Sequence, residues 1–167
     1  WGTTSPYDNA QYTYTYNSES SITVTGNATV YRYWNRTTNQ YNLDVNGYLD
    51  GSLIENTVGY LTFDVYINGN RVANDTVDYC SKHDYGTTYE IKDIKSTTGH
   101  SYTGIYKGNT SGTLTTNASV VLTGVTNSYT VTCKDVVGSS TGKVLGTSTW
   151  TALYGTSVSG EEKGTNN

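Results

Sequence analysis

The 167-residue chain contains one proline, one phenylalanine and no methionine. Ala, Leu, Glu and Lys are also sparse, so an all-helical fold is excluded. No apolar run approaches the roughly 18 residues that a membrane-spanning helix needs. Cations are few: ten Lys and Arg stand against fourteen Asp and Glu, for a net charge of −4. They are scattered and form no basic run. Binding to nucleic acid requires clustered cations that neutralise phosphates, so nucleic acid is not an expected partner. The same deficit disfavours an anionic membrane surface, and no membrane insertion is expected. The chain opens at Trp1 without a charged-then-apolar leader, as a mature product or a segment of a longer chain would.

Thr (31), Ser (16), Asn (16), Gly (18) and Tyr (17) are abundant. β-Branched and aromatic side chains fit a pleated, half-buried surface. Aromatics at 13% supply a core and argue against disorder. Low charge with high Thr, Asn and Tyr reads as an extracellular, cell-surface composition.

Period-two alternation recurs along the chain. Residues 11–16 place Tyr12, Tyr14 and Tyr16 on one face. Residues 21–25 place Ile22 and Val24 inward. Residues 28–34 put Val30, Arg32 and Trp34 on one face and Tyr31 and Tyr33 on the other. Asn35–Asn39 reads as a turn. It would pair Tyr31–Trp34 with a strand at 41–45 that points Tyr41, Leu43 and Val45 inward. Asn46-Gly47 and Asp50-Gly51 are strong turn signals. Residues 59–67 aim Leu61, Phe63, Val65 and Ile67 at a core and turn through Asn68-Gly69-Asn70 into 71–73. Residues 78–85 show no such order and read as an irregular loop. Strands follow at 88–95, with Tyr89, Ile91, Asp93 and Lys95 on one face, and at 101–107 and 118–122. Short strands at this spacing describe an all-β, antiparallel β-sandwich, Ig-like or jelly-roll-like.

A second pattern occupies the C-terminal part: a strand at 129–135, a Gly/Ser-rich turn at 136–142 and a return strand at 143–153. The expected organisation is an N-terminal extension at 1–10, the sandwich at 11–124, an appended hairpin at 125–160 and a flexible tail at 161–167. The hairpin carries Tyr129-Thr-Val131, Asp135, Gly142, Leu145, Gly146-Thr147 and Gly155-Thr-Ser-Val158. It resembles a truncated mucin-binding-protein repeat of Gram-positive surface proteins. The first 120 residues carry Tyr41-Asn-Leu-Asp-Val-Asn-Gly47, Phe63-Asp-Val-Tyr-Ile-Asn-Gly69 and Tyr89-Glu-Ile-Lys-Asp-Ile-Lys95. They resemble β-sandwich modules of cell-surface and phage-structural proteins of gut Firmicutes. The resemblance implies a monomer or one part of a longer multidomain surface chain.

Chemistry-bearing constellations are thin. No Gly-x-Ser-x-Gly elbow is present. His83-Asp84 is an isolated dipeptide. Asp44, Asn46 and Asp50 supply too few oxygens, at the wrong spacing, for a calcium loop. Cys80, Cys133, His83 and His100 lack zinc-ligand spacing. The reading is non-catalytic, with no cofactor and no metal. Five Asn-x-Ser/Thr triplets are what this composition supplies by chance. One disulfide, Cys80–Cys133, is compatible with a secreted chain and would close a loop worth roughly 4 kcal/mol.

The aromatics carry the functional expectation. Tyr joins an apolar ring to a wet hydroxyl and suits binding surfaces. The candidate ligand-binding residues are Tyr31, Tyr33 and Trp34, with Lys82, His83, Asp84 and Tyr85 from the segment read as a loop. The expected role is an extracellular adhesion module that binds a host protein or glycan, such as a glycoprotein or an immunoglobulin-like protein. A carbohydrate-binding module and a phage virion or tail decoration module are the alternatives.

Overall fold

A computed structural model describes residues 5–54 and 60–160. The expected tail at 161–167 lies outside the described residues. Thirteen strands are seen among those described, with no helix longer than a turn. In chain order they are β1 (Tyr12–Glu19), β2 (Arg32–Thr38), β3 (Gln40–Leu49), β4 (Ser52–Ile54), β5 (Leu61–Ile67), β6 (Asn70–Thr76) and β7 (Tyr79–Asp84). Then come β8 (Thr88–Ser96), β9 (His100–Lys107), β10 (Ser111–Thr113), β11 (Ala118–Thr126), β12 (Ser128–Val136) and β13 (Val144–Leu153).

The fold is an all-β sandwich with an appended C-terminal hairpin. One sheet runs β10-β8-β5-β6; the other runs β4-β3-β11-β9, with β7 beside β3. Their inner faces supply one core. Leu43 and Val45 of β3 and Val120 and Leu122 of β11 meet Leu61, Phe63 and Val65 of β5 and Tyr89 and Ile91 of β8, and Leu114 closes the cluster. Alternation in β3 and β5 is thus converted into burial, which drives the two sheets together.

The sandwich is not wholly antiparallel. β3 and β11 pair in parallel, from Leu43 opposite Ala118 to Leu49 opposite Gly124. A parallel pair needs a long crossover, and here the chain passes through the second sheet before β11 returns. The Asp50-Gly51 and Asn68-Gly69 turns form as expected. All four residues have positive φ, as two-residue hairpin turns require.

Several local expectations are corrected. Asn46-Gly47 is not a turn: both lie inside β3, and Gly47 is buried opposite Leu122. Pairing of β3 with β11 on one side and β4 on the other overrides the local turn tendency. Asn35–Thr38 is not a turn either but continues β2, and only Asn39 breaks the strand. β2 therefore pairs with β1, not with 41–45. Residues 21–25 form no strand, and Ile22 and Val24 are exposed, because no sheet faces them. In β8 the alternation slips at Asp93, where φ is +49°. That irregularity turns Ile94 toward the core instead of Asp93 and Lys95.

The segment 78–85 is likewise no loop. Tyr79–Asp84 is strand β7, antiparallel to β3 from Gln40–Asp84 to Val45–Tyr79. Exposure alternates along it, with Tyr79, Ser81 and His83 half-buried and Cys80, Lys82 and Asp84 exposed. Polar residues hide this alternation from a hydrophobicity reading. The expected disulfide is absent: Cys80 and Cys133 are both free thiols. Cys80 points outward from the sandwich sheet, while Cys133 lies in the separate β12–β13 hairpin. Nothing in the fold brings the two together.

Two ribbons flank the sandwich. β1–β2 joins it through Asn39, whose side-chain amide donates to Asn9 O (2.8 Å) and Ala10 O (3.1 Å). Tyr41 O–H also donates to Ala10 O at 2.5 Å. β12–β13 is tied on by Asn127 N–H, which donates to Gly99 O at 2.8 Å. There Gly99, buried with φ +82°, lies under the Tyr154 ring; a Cβ at Gly99 would fall 2.1 Å from it.

Candidate functional site

The seven candidate residues divide by the direction in which their strands point them. On the β1–β2 ribbon, Tyr12, Tyr14 and Tyr16 stand opposite Thr38, Arg36 and Trp34. Directly opposed residues share a face, so these six form one side. Trp34 meets Tyr16 edge-on at 5.6 Å and Tyr7 at 6.3 Å, and Tyr7 also meets Tyr14 at 6.3 Å. The Arg36 guanidinium lies 4.5 Å from the Tyr12 ring centroid. An isolated two-stranded ribbon is marginal in water. This one builds its own small aromatic core, with the segment carrying Tyr7 folded against it. Trp34 is half-buried in that cluster and acts first as a packing residue.

Tyr31 and Tyr33 point the other way, and both are exposed, at 61% and 49%. Their side of the ribbon continues through Asn35 and Thr37 with Thr13 and Thr15 from β1. It opens into a shallow cleft of about 680 Å³ lined by Thr13, Thr37, Thr38, Asn39, Gln40 and Asp84. Every lining group is a hydroxyl, an amide or a carboxylate. Thr13 O–H donates to Asn39 Oδ1 at 2.6 Å, and Gln40 Nε2 donates to Asp84 Oδ1 at 2.9 Å. These bonds fix the orientation of the lining before any ligand arrives.

β7 contributes residues on both of its faces. Asp84 lies in the cleft, and Lys82, two residues away on the same outer side, stands opposite Asn42. His83 points inward, with Nε2 2.9 Å from Tyr79 Oη and the two rings stacked at 6.1 Å. Tyr85 packs against Tyr41 at 6.4 Å, and its N–H donates to Asn39 O at 2.8 Å. The structure therefore leaves Tyr31, Tyr33, Lys82 and Asp84 exposed, and of the seven candidates it puts Asp84 in the cleft. It turns Trp34, His83 and Tyr85 away, into supporting contacts.

Sequence reasoning missed the rest of the cleft: Thr13, Thr37, Thr38, Asn39 and Gln40. The signal was present but weak. Once Tyr41, Leu43 and Val45 are inward, Gln40 and Asn42 must be outward by parity. The ribbon's approach to that face depends on the kink at Asn39, which no alternation encodes.

The geometry offers no reactive constellation at this cleft. Among the described residues, no group of three or more His, Cys, Asp or Glu is arranged to hold a metal. Asp64 is a buried carboxylate that lies elsewhere, in β5. The Asp75 N–H, at 2.8 Å, holds its pKa below the ordinary carboxylate value, helped by Arg71 at 3.1 Å. It has the partners of a structural anchor. What fold and site define is a β-sandwich with a preorganised hydrogen-bonding cleft, carrying one carboxylate, at a ribbon–sheet junction. No family model matches the chain, and neither a curated protein nor a solved structure shows significant similarity to it.

Proposed function

We propose that this chain is a non-catalytic extracellular binding module of a bacterial surface protein, engaging a host macromolecule. One observation carries the reading. The cleft lined by Thr13, Thr37, Asn39, Gln40 and Asp84 has its polar groups oriented by internal hydrogen bonds, and Tyr33 is exposed on the ribbon side that Thr13 and Thr37 share, with Tyr31 exposed just before it. Exposed tyrosines beside a fixed set of donors and acceptors suit recognition, because little conformational freedom remains to be lost on binding. The surface-protein resemblance of the C-terminal hairpin agrees with an extracellular setting. The module's ligand is a host glycoprotein or an immunoglobulin-like protein. Immobilised chain should capture a defined protein from serum or mucosal secretions, and Tyr33→Ala with Asp84→Ala should reduce capture at least tenfold without loss of folding. Capture that is equal for wild type and double variant would place the contact elsewhere. No capture from either fluid would remove the reading.

A further inference from the structure

The outer face of the sandwich sheet has a second feature, some 26 Å along β3 from the cleft at the ~3.3 Å rise per strand residue. Inward Leu43 and Val45 leave Asn42, Asp44, Asn46 and Tyr48 on the outside. On β11 the same parity places Ser119, Val121 and Thr123 outward, since Val120 and Leu122 are in the core. Tyr48 of β3 and Tyr106 of β9 meet with ring centroids 5.6 Å apart and planes within 21°. β11 lies between those two strands, so the rings must reach toward each other over it, at the level of Val121 and Thr123. Val121 is only 7% exposed although it belongs to no inward cluster. A residue on the solvent side can be that buried only under a cover, and the two tyrosines are placed to provide it.

The cover is itself open to solvent. Tyr106 is 71% exposed, the largest exposure of any tyrosine among the described residues. Around the rings stand fixed polar groups: Asn46 Nδ2 donates to Asp44 Oδ1 at 3.0 Å, and the Thr103 and Thr123 hydroxyls are 2.8 Å apart. Charge on this face balances, with Asp44 and Asp84 against Lys82 and Lys107.

We infer that this face binds a neutral glycan, with Tyr48 and Tyr106 as the stacking platform and Asp44, Asn46 and Thr123 as its hydrogen-bonding rim. The occupant follows from what the face offers. A protein interface core wants several apolar anchors grouped at its centre; beside the tyrosine pair this face adds Leu53, opposite Tyr48, and Val125, while Asn42, Asp44, Asn46, Ser119 and Thr123 interleave them with amides, hydroxyls and a carboxylate. Nucleic acid wants a cation cluster, which the balanced charge denies it. A neutral sugar combines an apolar C–H face, which lies on a flat ring, with hydroxyls that pair with amides and carboxylates. The site is separate from the ribbon cleft and does not rest on the function proposed for it.

The test is an array of neutral oligosaccharides probed with the whole chain, followed by titration of the strongest binder into isotope-labelled protein. The inference expects at least one oligosaccharide to bind, with amide shifts centred on Asn46, Tyr48, Tyr106 and Thr123. Tyr106→Ala should then weaken binding at least tenfold. Tyr106→Leu retains apolar cover over Val121 but removes the flat face, and should weaken binding equally while the fold is unchanged. Three outcomes overturn the inference: no oligosaccharide binds, the shifts centre on Thr13 and Asp84, or Tyr106→Leu binds as wild type. Protein capture by the cleft would stand or fall independently, because its variants are Tyr33→Ala and Asp84→Ala.

Discussion

The sandwich and the β1–β2 ribbon share one sequence device, strict alternation, and use it differently. In β5 alternation buries Leu61, Phe63 and Val65 under a facing sheet. In β1 it lines up Tyr12, Tyr14 and Tyr16 with no sheet above them, so the rings turn edge-on to one another and to Trp34 and Tyr7. Alternation specifies that a strand has two faces. Whether one of them becomes a core depends on whether another element arrives to cover it.

This contrast can be broken first at the sandwich. Phe63 is fully buried, and Phe63→Ala should cost about 3–5 kcal/mol, as large-to-small changes in a closed core do. Denaturant unfolding would show the midpoint falling for the whole chain. An effect under about 1 kcal/mol would mean that the two sheets do not share a tight core.

Gly99→Ala probes the joint between sandwich and C-terminal hairpin. It combines a disfavoured positive φ with a collision against the Tyr154 ring. A loss of about 1–3 kcal/mol is expected. Tyr154 ring resonances should shift, while those of the β1–β2 ribbon should not.

Trp34→Ala sharpens the contrast from the other side. Each edge-on aromatic contact is worth about 0.5–1.5 kcal/mol, and Trp34 makes two. Amide protection should fall across 12–19 and 32–38, with the sandwich melting point nearly unchanged. If protection falls equally in β3 and β11, ribbon and sandwich fold as one unit.

Acid should distinguish the regions as well. Asp64, in the sandwich, has its folded pKa lowered by the Asp75 N–H and then by Arg71. Its contribution is present above the ordinary carboxylate value of 3.8 and is lost as the pH falls below it toward the depressed folded value. Asp50 behaves alike, through bonds from the Thr126 hydroxyl and N–H. Asp64→Asn should flatten the acid limb of the stability curve, measured by thermal melts between pH 2 and pH 6 on the order of those carboxylate values. An unchanged limb would remove Asp64 as its source. The smallest effect is expected at Cys80→Ser: an exposed, unpaired thiol should change stability by less than about 0.5 kcal/mol. A large loss there would restore the disulfide.

The sequence alone determined that the chain is all-β, where the core strands lie, and which residues of β3 and β5 face inward. Those facts are local: they follow from side-chain period, β-branching and turn residues such as Asp50-Gly51 and Asn68-Gly69. Tertiary structure decided the partners. It joined β2 to β1, set β3 and β11 in parallel, made a strand of Tyr79–Asp84 and left Cys80 and Cys133 apart. It also split the candidate site, exposing Tyr31, Tyr33, Lys82 and Asp84 while burying the supporting sides of Trp34, His83 and Tyr85. The reason is that a strand's hydrogen-bonding edge is the same backbone whatever its residues. Pairing is therefore chosen by which buried faces can be satisfied together, and that choice is made by the whole chain.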